Sequence, residues 1–232
     1  MPPGFDRLPA ERGAQAIAAN EGGWEKQTQL IEKYLALAPP WASRRGTIEL
    51  CASTIAGNAM AFSLYAATIP SYRQILESVA GLLATAEAFC TEKGIAPQGI
   101  IQGRLADDML PFAYQVKSTA VHSLGAIEGV RRGVFSPDMT PPPETFAALH
   151  ARIAATLAAL ETIEAAEVDA FVGREMRFVF GDRQIDFSAE NFLLSFSQPN
   201  FYFHATTTYD ILRWKGVPIG KRNFIGKLRK RT

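Results

Sequence analysis

The chain has 232 residues, 47% hydrophobic and 20% charged, a composition that suits a soluble globular protein with one full core. No apolar run approaches the roughly 20 residues that span a bilayer, and the opening MPPGFDRLPAERG lacks the apolar stretch of a secretory signal, so the cytoplasm is expected and a membrane is not. The net charge of +1 includes eight Lys or Arg and no acid from Arg213 onward, leaving −7 on the rest; such an acidic body is a poor phosphate binder, so nucleic acid is not an expected partner.

Residues 1 to 59 read as an N-terminal extension, with the main domain and its natural start at Met60. Glu25 to Leu37 has the spacing of one amphipathic helix, but Gly22-Gly23 and Pro39-Pro40 bracket it and no partner lies nearby in sequence. Cys51 and Cys90 fit neither a C-x-x-C motif nor a disulfide framework and read as reduced thiols.

Four helical segments follow. The first runs from about Pro70 to Lys93, where Tyr72, Ile75, Leu76, Val79, Leu82, Leu83 and Ala86 make one apolar stripe that stops at Gly94. The second is expected to open at Asp107 or Asp108, with Pro111 in its first turn and Phe112, Val116, Thr119, Ala120, Ser123, Ile127 and Val130 on its core face. The middle of that face is small and partly polar, which permits close backbone approach or leaves room for a pocket. The third, after Pro141-Pro142-Pro143, carries Phe146, Leu149, Ile153, Leu157 and Leu160.

The period then switches to two. Met176, Phe178 and Phe180, then Ile185 and Phe187, alternate around Gly181-Asp182, which predicts a β-hairpin at about 175–187. Ser188 is placed to cap the last helix, which Pro199 kinks or restarts and which ends at Gly216. Asp210 and Arg213, three apart, read as a surface pair, and Lys221 and Arg222 as the residues that fold the tail back. The fold class is therefore all-α: a four-helix bundle with a small hairpin before its last helix. The long connections leave a crossover open in place of simple up-down order.

Residues 61 to 226 resemble a bacterial family known as domain of unknown function number nineteen-ninety-three, which is similar to the DinB-like superfamily. The motifs that carry this are SLYAATIPSYRQILESV, RLADDMLPFAYQV, GDRQIDF and PNFYFHATTTYDILRWKGVPIGKRNFIG. The metal-binding branch of that superfamily takes one histidine from the second helix and two, at i and i+4, from the fourth, a spacing that points two imidazoles at one ion. By that resemblance His204 matches the first of the pair and His122 the second-helix ligand, while Thr208 stands where the other histidine should be. A hydroxyl is a weak zinc ligand, so the pattern is incomplete. His122 also falls about 110° off the centre of its helical stripe, at ~100° per residue.

Two readings follow. In the first, a small-molecule pocket lies between the second and fourth helices, with His204 as acid/base or weak ligand and Thr208, Tyr202, Tyr209 and Gln115 orienting the ligand. No resident cofactor is expected, zinc or nickel at His122 and His204 being the ion the superfamily would supply. In the second, the bundle is non-catalytic and acts through a homodimer or partner, with His204 packed structurally. The sequence contains no nucleophile elbow, P-loop, dinucleotide fingerprint or H-E-x-x-H.

Overall fold

The computed structural model describes residues 63–230; the N-terminal extension, its expected helix, the Met60 start and Cys51 lie outside that range. Helix α1 spans Leu64–Lys93, α2 Gln98–Ile101 and α3 Phe112–Ala120, which runs on through a π-helical turn, Val121–Gly125, into α4, Ala126–Arg132. Strand β1 (Val134–Phe135) follows, then α5 (Phe146–Glu161), α6 (Ala165–Asp169), β2 (Glu175–Phe180) and β3 (Arg183–Ser188). Helix α7 (Ala189–Asn191) passes through a second π-helical turn, Phe192–Ser197, into α8 (Gln198–Trp214), and α9 (Lys221–Ile225) ends the described fold.

Helix α1 starts a turn and a half before the expected Pro70. Ser63 is its N-cap, with Oγ accepting from the Ala66 N–H at 3.2 Å, and Leu64, Thr68 and Ile69 extend the buried stripe upstream. Pro70 therefore lies inside the helix, and Gly94 closes it in the left-handed conformation at φ 63°. The second rod begins later than expected: Pro111 is its N-cap and Phe112 its first residue, while Asp107 and Asp108 stay in the preceding turn. Thr145 caps α5 as a Thr in extended backbone should, its hydroxyl accepting from the Ala148 N–H at 3.1 Å.

Four rods build the core: α1, α3 with α4, α5, and α7 with α8. Helix α1 packs on α5 and α8, and α3 packs on α8 and α5. The rods thus form a ring in which α1 lies across from α3 and α5 across from α8, the crossover arrangement that the long connections permit. Tyr72 and Phe201, both fully buried, meet edge to face at 4.8 Å across the α1–α8 seam, a contact that contributes about 1 kcal/mol beyond the area it buries.

The hairpin forms around Gly181-Asp182 with Phe180 paired to Arg183. It is not alone, because β1 adds a third strand parallel to β2, pairing Val134 with Arg177 and Phe135 with Phe178. A two-residue strand has no periodicity to read, so sequence pattern misses it. The sheet's Phe135, Phe178 and Phe187 pack with Phe192 and Phe196 of the second π-turn. That wider turn lies just before Pro199, which lacks an N–H and would crowd the carbonyl of Ser195 in a regular helix; the rod continues through the proline instead of breaking.

The tail is docked by residues other than the expected ones. Gln74 Nε2 donates to the Ile225 carbonyl at 2.9 Å, and Tyr209 packs on Phe224, while Lys221 and Arg222 are exposed. Arg213 likewise turns from the expected surface pair with Asp210 and donates to the Ile219 carbonyl at 2.7 Å. Among the described residues no helix is long and apolar enough to cross a membrane.

Candidate functional site

Where rod two faces rod four, two histidines meet. The rings of His122 and His204 lie stacked, centroids 5.6 Å apart and planes 17° from parallel. Both are buried, at 5% and 6% exposure. The flank position expected for His122 fails for two reasons. Its π-turn breaks the fixed angle per residue on which the stripe was counted, and that flank is covered by Phe135 of the sheet and Phe196 of the second π-turn, at 5.5 and 6.0 Å from the imidazole.

The hydrogen bonds fix both tautomers. Gln115 Nε2 donates to the Leu110 carbonyl at 2.8 Å, which turns its Oε1 toward His204 Nδ1, also at 2.8 Å. An amide oxygen only accepts, so Nδ1 carries the proton and Nε2 a bare lone pair. Ser197 Oγ donates to the His122 carbonyl at 3.1 Å and is left to accept from His122 Nδ1 at 3.3 Å, so His122 has the same tautomer. His204 Nε2 is buried without a hydrogen-bond partner among the described residues.

Burial also sets the charge state. It pushes the His204 imidazole down to about 4. His122 is held well below the ordinary imidazole range, first by burial and then by repulsion from His204. At neutral pH the pair is two neutral rings.

The other expected residues divide. Gln115 is in the site as the group that orients His204. Thr208 is fully buried one turn after His204, but its hydroxyl donates to the His204 carbonyl at 2.9 Å. Thr119 and Ser123, on the facing rod, also turn their hydroxyls onto carbonyls four residues back. The small polar middle of rod two thus serves close packing against α8. Tyr202 is 37% exposed and packs on Phe201, and Tyr209 packs on Phe224; no ring contact or hydrogen bond of either reaches the histidine pair. His150 sits apart, with Nε2 3.2 Å from Glu87.

Two groups beside the site escaped sequence reasoning. The Tyr114 ring meets His204 edge to face at 6.0 Å, and Ser197 holds His122; neither residue carries a pattern that marks it. Elsewhere on rod two a lysine had a signal, since it lies between Val116 and Ser118 on an otherwise buried run. Lys117 is 1% exposed, and its ammonium donates to the carbonyls of Asp138 and Thr140 and pairs with Asp138 Oδ1 at 3.0 Å.

The rods, their ring order and the inserted sheet define a DinB-like helical protein. The crystal structure of a DinB family member protein from Shewanella denitrificans aligns with it at a TM-score of 0.61 and 25% identity, over 73% of this chain and 95% of that one. The chain belongs to the family described as Domain of unknown function (DUF1993), whose pattern matches residues 64–225. No curated protein matches it.

A metal of the DinB-like type can be tested against the donors present. His204 Nε2 is a bare, unpartnered lone pair of the right kind, and His122 Nε2 is its analogue. The third donor is lacking: the Thr208 hydroxyl is spent on a carbonyl, and among the described residues no group of three or more His, Cys, Asp or Glu converges. Two imidazoles fall short of the three or four protein ligands of a zinc site, so the described residues do not fit a resident zinc ion.

Proposed function

We propose that this protein binds a small molecule at the His122–His204 pair, with His204 Nε2 accepting a hydrogen bond from an N–H, O–H or S–H of the ligand. The observation that carries this reading is the buried lone pair of Nε2, fixed in its tautomer by Gln115 and left without a partner. A buried acceptor loses its hydrogen bonds to water and is destabilising by about 1–3 kcal/mol until something donates to it, so a ligand that does so recovers that energy.

The same geometry favours binding over proton transfer. With its conjugate acid at about 4, protonating His204 at pH 7 costs about 4 kcal/mol, which makes it a weak base and a good neutral acceptor. The experiment is a thermal-shift screen over thiols, alcohols, amines and divalent cations, run beside His204→Phe, which keeps an aromatic ring and removes both nitrogens. A compound that raises the melting temperature of the wild type and not of the variant supports the proposal. Equal shifts in both, or none in the wild type, refute it.

A second reading has its own support. The Gln115 bond and the stacked His122 ring are what a structural histidine needs. In that case His204→Phe abolishes no binding and loses stability only through the unpaired Gln115 oxygen. Self-association would then carry the function, and light scattering on the full chain tests it by showing a dimer mass.

A further inference from the structure

A concave site lies along rod two, apart from the histidine pair. It is a groove of about 380 Å³ between the first π-turn with α4, the chain after β1, and α5. The π-turn shows it Val121, Leu124 and Gly125, and Phe135 and Ala155 extend an apolar floor. Four charged side chains stand around that floor: Glu128, Arg132, Asp138 and Arg152.

Their bonding separates committed charges from uncommitted ones. Asp138 is spent: Lys117 pairs with its Oδ1, Thr140 donates to the same oxygen from both hydroxyl and N–H, and Arg152 Nη2 donates to Oδ2 at 3.1 Å. That single bond holds Arg152 in place and leaves its remaining N–H groups available. The Arg132 side chain makes no hydrogen bond or ion pair among the described residues. With Lys117 offsetting Asp138, the groove presents two guanidinium groups against the one carboxylate of Glu128, on a chain whose residues before Arg213 sum to −7.

We propose that this groove binds a small organic monocarboxylate with an apolar body, its carboxylate at Arg132 and Arg152 and its body on Leu124 and Phe135. The volume is at the low end of the roughly 300–1,000 Å³ of ligand pockets, which limits the occupant to a small molecule. Guanidinium groups bind carboxylates through charge-assisted hydrogen bonds, and the apolar floor asks for hydrocarbon behind the anion. Glu128 sets the charge: a phosphate dianion meets a like charge there, while a monoanion meets less repulsion. Neither histidine of the pair lines the groove, so the proposal stands or falls independently of the function proposed above.

The test is an amide-resolved NMR titration of the full chain with butyrate, hexanoate and phenylacetate, against hexanamide, phenylacetamide and hexyl phosphate. At least one carboxylate should shift Leu124, Gly125 and Ala155 saturably, and its amide should bind at least tenfold more weakly. Arg132→Gln, which touches no internal ion pair, should weaken the carboxylate tenfold or more, and Arg152→Gln should do the same. His204→Phe should leave it within twofold. No saturable shift with any of the three carboxylates overturns the proposal. So does equal binding of the amide, an Arg132→Gln effect under twofold, or tighter binding of hexyl phosphate.

Discussion

His204→Phe offers a quantitative test through pH. An unfolded imidazole titrates near 6.5 and His204 in the fold near 4, so between those values the unfolded chain holds the extra proton. The sign follows: the stabilisation is fully present above about pH 6.5 and is lost as pH falls toward 4. The difference integrates to about 2.5 kcal/mol between pH 7.5 and 4.5, at up to about 1.4 kcal/mol per pH unit. His122 is depressed in the same direction and adds to the slope. Asp138 does not interfere. Burial pushes its carboxyl up, but hydrogen bonds from Thr140 and Lys117 overcome this and hold it well below the usual range, so its contribution is lost only as pH falls below 3.8. Urea unfolding at half-unit steps from pH 7.5 to 4.5, on wild type and His204→Phe, reads the effect. The lost Gln115 bond lowers the variant's stability by a constant amount and leaves the slope clean. The wild type should lose at least 2 kcal/mol more than the variant across this window; parallel curves refute the buried, neutral assignment.

Three further outcomes follow. Lys117→Met takes the buried ammonium from two carbonyls and from Asp138, which keeps only Arg152, and should destabilise by about 3 kcal/mol in urea unfolding, a loss under 1 kcal/mol showing that the ammonium is dispensable. Gly129→Ala places a Cβ 3.0 Å from Phe135 Cβ and should cost about 1–3 kcal/mol, whereas Gly81→Ala meets nothing within 4 Å in mid-helix and should raise stability by about 0.5–1 kcal/mol, both read by thermal melting. Dialysis against EDTA should leave the melting temperature unchanged, since two imidazoles are too few to hold zinc; stoichiometric zinc by elemental analysis in untagged protein would contradict that.

What was legible in the sequence was what repeats. The stripe from Tyr72 to Ala86, the alternation of Met176, Phe178 and Phe180, and the stops at Gly94 and Gly216 are local signals set by helix and strand geometry, and each appears where its pattern places it. The inward face of His204 followed from the same counting. His122 did not, because a π-turn changes the angle per residue without leaving a mark in composition, and because the covering strand Val134–Phe135 is too short to show a period. Pro70 misled in the other direction: read as a helix start, it sits inside one, since Leu64, Thr68 and Ile69 bury enough upstream surface to carry the helix past it. The tyrosines illustrate a different limit. Their seven-residue spacing puts Tyr202 and Tyr209 on one flank, but which neighbour that flank meets is decided by the ring order of the rods.

That ring order also governs how the chain assembles. Among the described rods, rod two and α5 alone are both consecutive and closely packed, so of the rods they alone can collapse as a local pair; α1 and α8 must each wait for partners distant along the chain. The latch from Lys117 to the segment at Asp138 and Thr140 spans the link inside this one early pair. Within the described fold, rod two and α5 are thus expected to pair first, with α1 and α8 docking on them afterwards.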